Sequence, residues 1–129
     1  MSQRLIVHID DDDDDCQLLK EAIEASNAYV LKQYSNGQEG LQYLEQVKVC
    51  GIIPSLIILD INMPVMDGRE VVKRIKQDEV LKTVSTIVFT TSGGISDYEF
   101  CKTYKVPMLV KPFTVKEFDG IVQQILQLA

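Results

Sequence analysis

Much is scarce in this chain, and each shortage excludes something. Its three cysteines, Cys16, Cys50 and Cys101, form no CxxC pair and are odd in number. They read as reduced packing residues, not as a disulfide framework or a zinc site. No apolar run approaches the ~20 residues of a membrane span, and no signal-peptide pattern opens the chain, so a cytoplasmic protein without membrane contact is expected. Positive charge is short as well. Thirteen Lys and Arg stand against nineteen Asp and Glu, a net charge of −6. Duplex binding needs a basic face, so no nucleic-acid partner is expected; a protein or a small ligand is. There is no repeat, linker or low-complexity tail beyond a run of six aspartates, Asp10 to Asp15. With 46% hydrophobic and 25% charged residues over 129 positions, one soluble domain spanning 1–129 is the expected organisation.

What is present is an alternation. Short apolar runs at Leu5–Ile9, Tyr29–Gln33, Leu56–Leu59, Thr86–Thr90 and Met108–Val110 read as strands. Between and after them, apolar residues recur at helical spacing. The sets are Cys16, Leu19, Ala22 and Ile23; Leu41, Leu44 and Val47; Val71, Val72 and Ile75; a less regular set of Tyr98, Cys101 and Tyr104; and Phe118, Ile121, Val122 and Ile125. Ser35-Asn36-Gly37 and Ser92-Gly93-Gly94 are loop signals. Five strands alternating with five helices predict an α/β fold with a doubly wound parallel sheet. In the flavodoxin-like order, 2-1-3-4-5, the first and third strands are neighbours at the switch point, where open sheets place their chemistry.

That order brings Asp10 and Asp11, after the first strand, beside Asp60, after the third. Clustered carboxylates repel one another, so they must shift their pKa values or bind a cation. An all-oxygen set favours a hard divalent ion, Mg²⁺ before Zn²⁺. Mg²⁺ in turn suits phosphoryl transfer, where charge on the moving group must be neutralised. Thr90 ends the fourth strand with a hydroxyl able to hydrogen-bond a phosphoryl oxygen, and Lys111 ends the fifth with an ammonium able to pair with another. Asp60 is the expected nucleophile. The remaining aspartates have a plainer expectation: Asp13 to Asp15 cap the first helix and meet its positive dipole end. An EF-hand match of Asp10, Asp12, Asp14 and Glu21 fails, because Asp15 stands where the turn needs Gly and a strand precedes the loop.

Four motifs, taken together, resemble the receiver domain of two-component response regulators, and in length the single-domain, chemotaxis-type members most. They are Ile9-Asp10-Asp11, Leu59-Asp60-Ile61-Asn62-Met63-Pro64-Val65-Met66-Asp67-Gly68, Phe89-Thr90-Thr91-Ser92 and Val110-Lys111-Pro112-Phe113. The resemblance implies that Asp60 accepts a phosphoryl group from the phosphohistidine of a histidine kinase or histidine phosphotransfer protein. It implies that Asp11 ligates Mg²⁺ (or Mn²⁺) directly, Asp10 acts through a water, and Asn62 offers its backbone carbonyl. Thr90 would move toward the phosphoryl group, Lys111 would pair with it, and the Lys111–Pro112 bond would be cis. The expected function is a switch that binds a downstream protein target or relays the phosphoryl group, with no output domain of its own. Its chemistry would extend at most to self-phosphorylation from a phosphodonor and autodephosphorylation.

Three departures from the pattern stand out. Met108 occupies the position three before the lysine that is usually aromatic, Tyr104-Lys105-Val106-Pro107 replaces the usual Gly-Ala before the fifth strand, and Thr91 replaces a smaller residue. His8 lies within the first strand and reads as a packed side chain, so the phosphodonor must be another protein. The alternative function is a phosphatase or phosphotransferase of the haloacid-dehalogenase kind. Such an enzyme needs a second Asp two positions after the nucleophile, where this chain has Asn62. A flavodoxin-like FMN binder would need a phosphate-cradling loop after the first strand, where this chain has aspartates that would repel the FMN phosphate.

Overall fold

The computed structural model describes residues 3–63, 66–91 and 94–129. The motif residues Pro64 and Val65 and the loop residues Ser92 and Gly93 therefore lie outside the described residues.

Five parallel strands, β1 (Arg4–Ile9), β2 (Tyr29–Tyr34), β3 (Leu56–Leu59), β4 (Ser85–Thr90) and β5 (Met108–Val110), form one sheet in the order 2-1-3-4-5. They alternate with five helices, α1 (Asp13–Glu24), α2 (Gly37–Val49), α3 (Gly68–Gln77), α4 (Ile95–Thr103) and α5 (Val115–Leu126). This is the flavodoxin-like arrangement expected from the alternation. The predicted spans of β3 and β5 agree with the observed ones, and β1, β2 and β4 each gain one residue at an end.

The sheet has a core on each face. Alternate residues of β1 and β3 point to opposite sides. Val7, Ile9, Ile57 and Leu59 pack with Leu44, Val71, Val72, Ile75 and Cys101 of α2, α3 and α4. Ile6, Leu56 and Ile58 pack with Leu19, Ile23, Phe118, Val122 and Ile125 of α1 and α5. The Phe89 and Phe118 rings meet there at 5.2 Å, tilted by 56°. All four β3 residues are fully buried, which is why they read as an unbroken apolar run and not as an alternation.

Apart from α4, which starts at Gly94 without a side-chain cap, the helix starts are fixed by side chains that accept otherwise orphaned N–H groups. Asn36 accepts from Glu39 N at 2.9 Å, Asp67 from Arg69 N at 2.7 Å and Thr114 from Glu117 N at 3.2 Å. At α1 the cap is Asp12, which accepts from Asp15 N at 3.0 Å. This corrects the expectation that Asp13 to Asp15 cap the helix. A cap residue must keep extended backbone, as Asp12 does, whereas the next three are already helical. At the other end of α4, Lys105 takes the left-handed conformation usually left to Gly (φ 57°), and Val106 N donates to Cys101 O at 2.9 Å. No described peptide bond is cis, so the Lys111–Pro112 bond is not cis as the resemblance implied.

The three cysteines are free. Among the described residues, no helix is long and apolar enough to cross a membrane.

Candidate functional site

The register of the sheet assembles the site. Ile9 pairs with Leu59, so β1 and β3 end level; Leu59 pairs with Val88 and Thr90 with Val110, so β4 and β5 end level with each other two residues further along the same edge. The backbone then continues the ladder outward: Asp60 N donates to Ile9 O at 3.0 Å, Asp10 N to Tyr34 O at 3.0 Å and Lys111 N to Thr90 O at 2.8 Å. Asp10, Asp60, Thr90 and Lys111 are thus carried to one rim, and all four are at least 95% buried.

Behind Asp60 the chain turns tightly. Gly68 N donates to Ile61 O at 2.9 Å, and a Cβ on Gly68 would lie 2.1 Å from the Asp60 carbonyl oxygen and 2.6 Å from Ile61 Cα. Both are backbone atoms that cannot rotate away. Gly68→Ala is therefore expected to cost about 3 kcal/mol of folding stability, read from the denaturant midpoint, because α3 must move off the Asp60 backbone. A loss below half a kcal/mol would contradict this close approach.

The rim is electrostatically crowded. One carboxylate oxygen from each of Asp10, Asp11 and Asp60 lies within 4.8 Å of the others. The Lys111 ammonium donates to Asp10 Oδ2 at 2.6 Å, Asp15 Oδ2 at 2.7 Å and Asp60 Oδ2 at 3.2 Å. Asp10 Oδ1 accepts from Asp12 N at 3.0 Å, and Asp60 Oδ1 accepts from Asn62 N at 3.2 Å. Four carboxylates thus face a single ammonium. Burial pushes the Asp10 carboxyl up, but bonds from His8, Lys111 and Asp12 outweigh it and hold the group below the usual carboxylate range. Asp11, at the exposed edge, is pushed up by partial desolvation and by the charges of Asp10 and Asp60. Burial opposes the charge on Lys111, yet its carboxylate partners raise its pKa above that of an ordinary lysine.

The excess of negative charge, the all-oxygen donors and the solvent-exposed Asp11 fit a hard divalent cation. Asn62 is exposed, with its backbone N–H on Asp60. Thr90 is completely buried at the end of β4, and Thr91 beside it is exposed.

Two neighbours of the site escaped sequence reasoning. Asp15 reaches Lys111 because helical side chains lean back toward the helix N-terminus, which here faces the rim. Its position three residues past the Asp12 cap was the available signal. His8 is buried as expected, but it also faces the site, with Nε2 3.6 Å from Asp10 Oδ2. Gln33 explains its orientation. The Gln33 amide donates to Cys16 O at 2.8 Å and to His8 Nδ1 at 3.1 Å. With Nδ1 accepting, the proton of the neutral ring sits on Nε2, toward Asp10. Cys16 is half-buried beneath Asp10, its Sγ 3.4 Å from the Asp10 carbonyl. Burial and the Asp10 charge push its thiol up to about 12, which favours the protonated, less reactive form.

Residues 6–123 match the family model described as the response regulator receiver domain. Response regulator Rcp1 of Synechocystis sp. is 33% identical over 97 residues, covering 73% of this chain and 66% of Rcp1. The polar-differentiation response regulator DivK of Brucella anthropi is 28% identical over 126 residues, covering 94% of each chain. Among solved structures, Mn²⁺-bound Rcp1 superposes with a TM-score of 0.86 at 31% identity, covering 95% of this chain and 91% of that one. A phosphorylated cyanobacterial phytochrome response regulator, RcpA, gives 0.91 at 29% identity, covering 98% and 93%. Several curated relatives are longer than the match, which spans 32%, 59% and 66% of three of them.

Proposed function

Because the chain belongs to the response regulator receiver family of two-component signal transduction, we propose that it is a phosphorylation switch with Asp60 as the phosphoryl acceptor. Receiver domains take phosphoryl groups from histidine kinases, and for this chain the donor would be a histidine kinase or a histidine phosphotransfer protein. The observation that carries the reading is the convergence of Asp10, Asp11, Asp60, Thr90 and Lys111 on one rim of the sheet.

The residues divide the work. A carboxylate oxygen of Asp60 attacks the phosphorus of the donor. The new O–P bond forms as the P–N bond to the donor histidine breaks, its electron pair staying on the imidazole. Asp10, Asp11 and Asp60, with the Asn62 backbone carbonyl, would hold Mg²⁺ or Mn²⁺, which supplies positive charge against the phosphoryl oxygens. Lys111, already poised on Asp60, pairs with one of those oxygens and the Thr90 hydroxyl bonds another. The added charge of about −1.5 to −2 then biases a two-state equilibrium of the face formed by α4 and α5. A protein target reads the resulting surface, and the receiver acts in the cytoplasm.

Incubation with acetyl phosphate and Mg²⁺ tests the reading by intact mass. A gain of one phosphoryl group per chain is expected, with none when EDTA replaces Mg²⁺. Steady turnover of phosphomonoesters without a phosphoprotein would instead favour a haloacid-dehalogenase-like enzyme, which neither Asn62 nor the family match supports.

Mg²⁺ alone should also stabilise the fold. A ligand at ten times its dissociation constant adds about 1.4 kcal/mol by linkage. For a domain of this size that raises the melting temperature by roughly 4–6 °C. A melting temperature indifferent to Mg²⁺ up to saturating concentrations would mean that the carboxylates hold no metal.

A further inference from the structure

The three hydrogen bonds of Lys111 are not equivalent. Two of its partners, Asp10 and Asp60, already have parts in the proposed function as metal ligand and acceptor. Asp15 has none, and it is absent from the carboxylate group close enough to share a cation. Yet its bond to Lys111 Nζ, at 2.7 Å, is half an ångström shorter than that of Asp60, at 3.2 Å. The Asp15 carboxylate is mostly buried, and its backbone N–H is tied to the Asp12 cap at 3.0 Å. It is therefore a fixed anchor on α1, not a surface side chain that happens to reach a lysine. An ammonium has three N–H groups, and carboxylates occupy all three.

We propose that Asp15 is a positioning residue that holds the Lys111 ammonium toward α1 and competes for it with a phosphoryl group on Asp60, so limiting how tightly the phosphorylated state is held. The inference rests on the acceptor reading of Asp60. To meet a phosphoryl oxygen, the ammonium must shift toward Asp60, which stretches its bond to Asp15. The Asp15 charge also repels an incoming dianion. Both effects act in one direction. Asp15→Asn removes the charge at constant size, and Asp15→Glu keeps it on a slightly longer arm.

The test is the affinity for beryllofluoride, an anion that mimics a phosphoryl group on a carboxylate, titrated by NMR at saturating Mg²⁺. Asp15→Asn should bind it roughly three- to tenfold more tightly than wild type, the range set by one partly buried charge pair. Asp15→Glu should stay within about twofold of wild type, rescue by charge that a packing role would not produce. Melting curves of the Mg²⁺-free proteins establish that both variants fold. Asp15→Asn binding that equals wild type or is weaker overturns the proposal, as does Asp15→Glu binding as tight as Asp15→Asn. If wild type itself takes up neither beryllofluoride nor a phosphoryl group, it is the acceptor reading of Asp60 that fails.

Discussion

Asp60→Asn should take up no phosphoryl group from acetyl phosphate, its rate falling by on the order of 10³ or more. An amide oxygen of the same size carries no charge with which to attack phosphorus. Asp10, beside it, is a poor substitute, since it is almost wholly buried and already accepts from Lys111 and Asp12 N. The variant should still fold, because Lys111 keeps its bonds to Asp10 and Asp15. Phosphate incorporation by intact mass, beside a melting curve, checks both halves. A variant that folds and is phosphorylated at the wild-type rate would remove Asp60 from the chemistry.

Lys111→Met should have the largest effect on stability. The lysine is 4% exposed, and its ammonium is shared among three carboxylates, two of them on the buried residues Asp10 and Asp60. Removing one partner of a buried ionic cluster leaves uncompensated charge, which costs about 3–5 kcal/mol. For a domain of this size the melting temperature should fall by roughly 10–20 °C without metal. The displaced pKa values agree on the sign: Lys111 is raised and Asp10 lowered, so both favour the charged pair. Mg²⁺ should recover more stability in Lys111→Met than in wild type, because a second cation relieves the same repulsion. Thermal melting with and without Mg²⁺ measures both quantities. A loss under 1 kcal/mol would show that Lys111 does not offset the carboxylates.

The strands and the rim were legible because their signals are local. Leu56–Leu59 is apolar at every position since β3 is buried on both faces, and Asp60 follows it directly. Once the strand order is known, Asp10, Thr90 and Lys111 must arrive beside it. The six aspartates were harder, because chemically identical neighbours differ only in backbone conformation. Asp12 is extended and caps α1, whereas Asp15 is helical and turns back to Lys111. His8 was placed in the strand, but its contact with Gln33 depends on the pairing of those two residues across β1 and β2. The link from Arg69, at the start of α3, to the buried Asp97 on α4 joins positions 28 apart in the chain. No periodicity encodes such a pair.

Met108 is half-buried in β5 and packs against the core on the α2–α4 side of the sheet. A thioether at that position has more rotamers than the aromatic ring usual there.

The claim that Asp60 is the acceptor is tested most directly by locating the acyl phosphate. Borohydride reduces an aspartyl phosphate to homoserine, which marks the residue permanently for peptide sequencing by mass spectrometry. After treatment with acetyl phosphate and Mg²⁺, homoserine is expected at position 60. Homoserine within Asp10 to Asp15, or at no aspartate in a protein that has gained phosphate, would contradict the account.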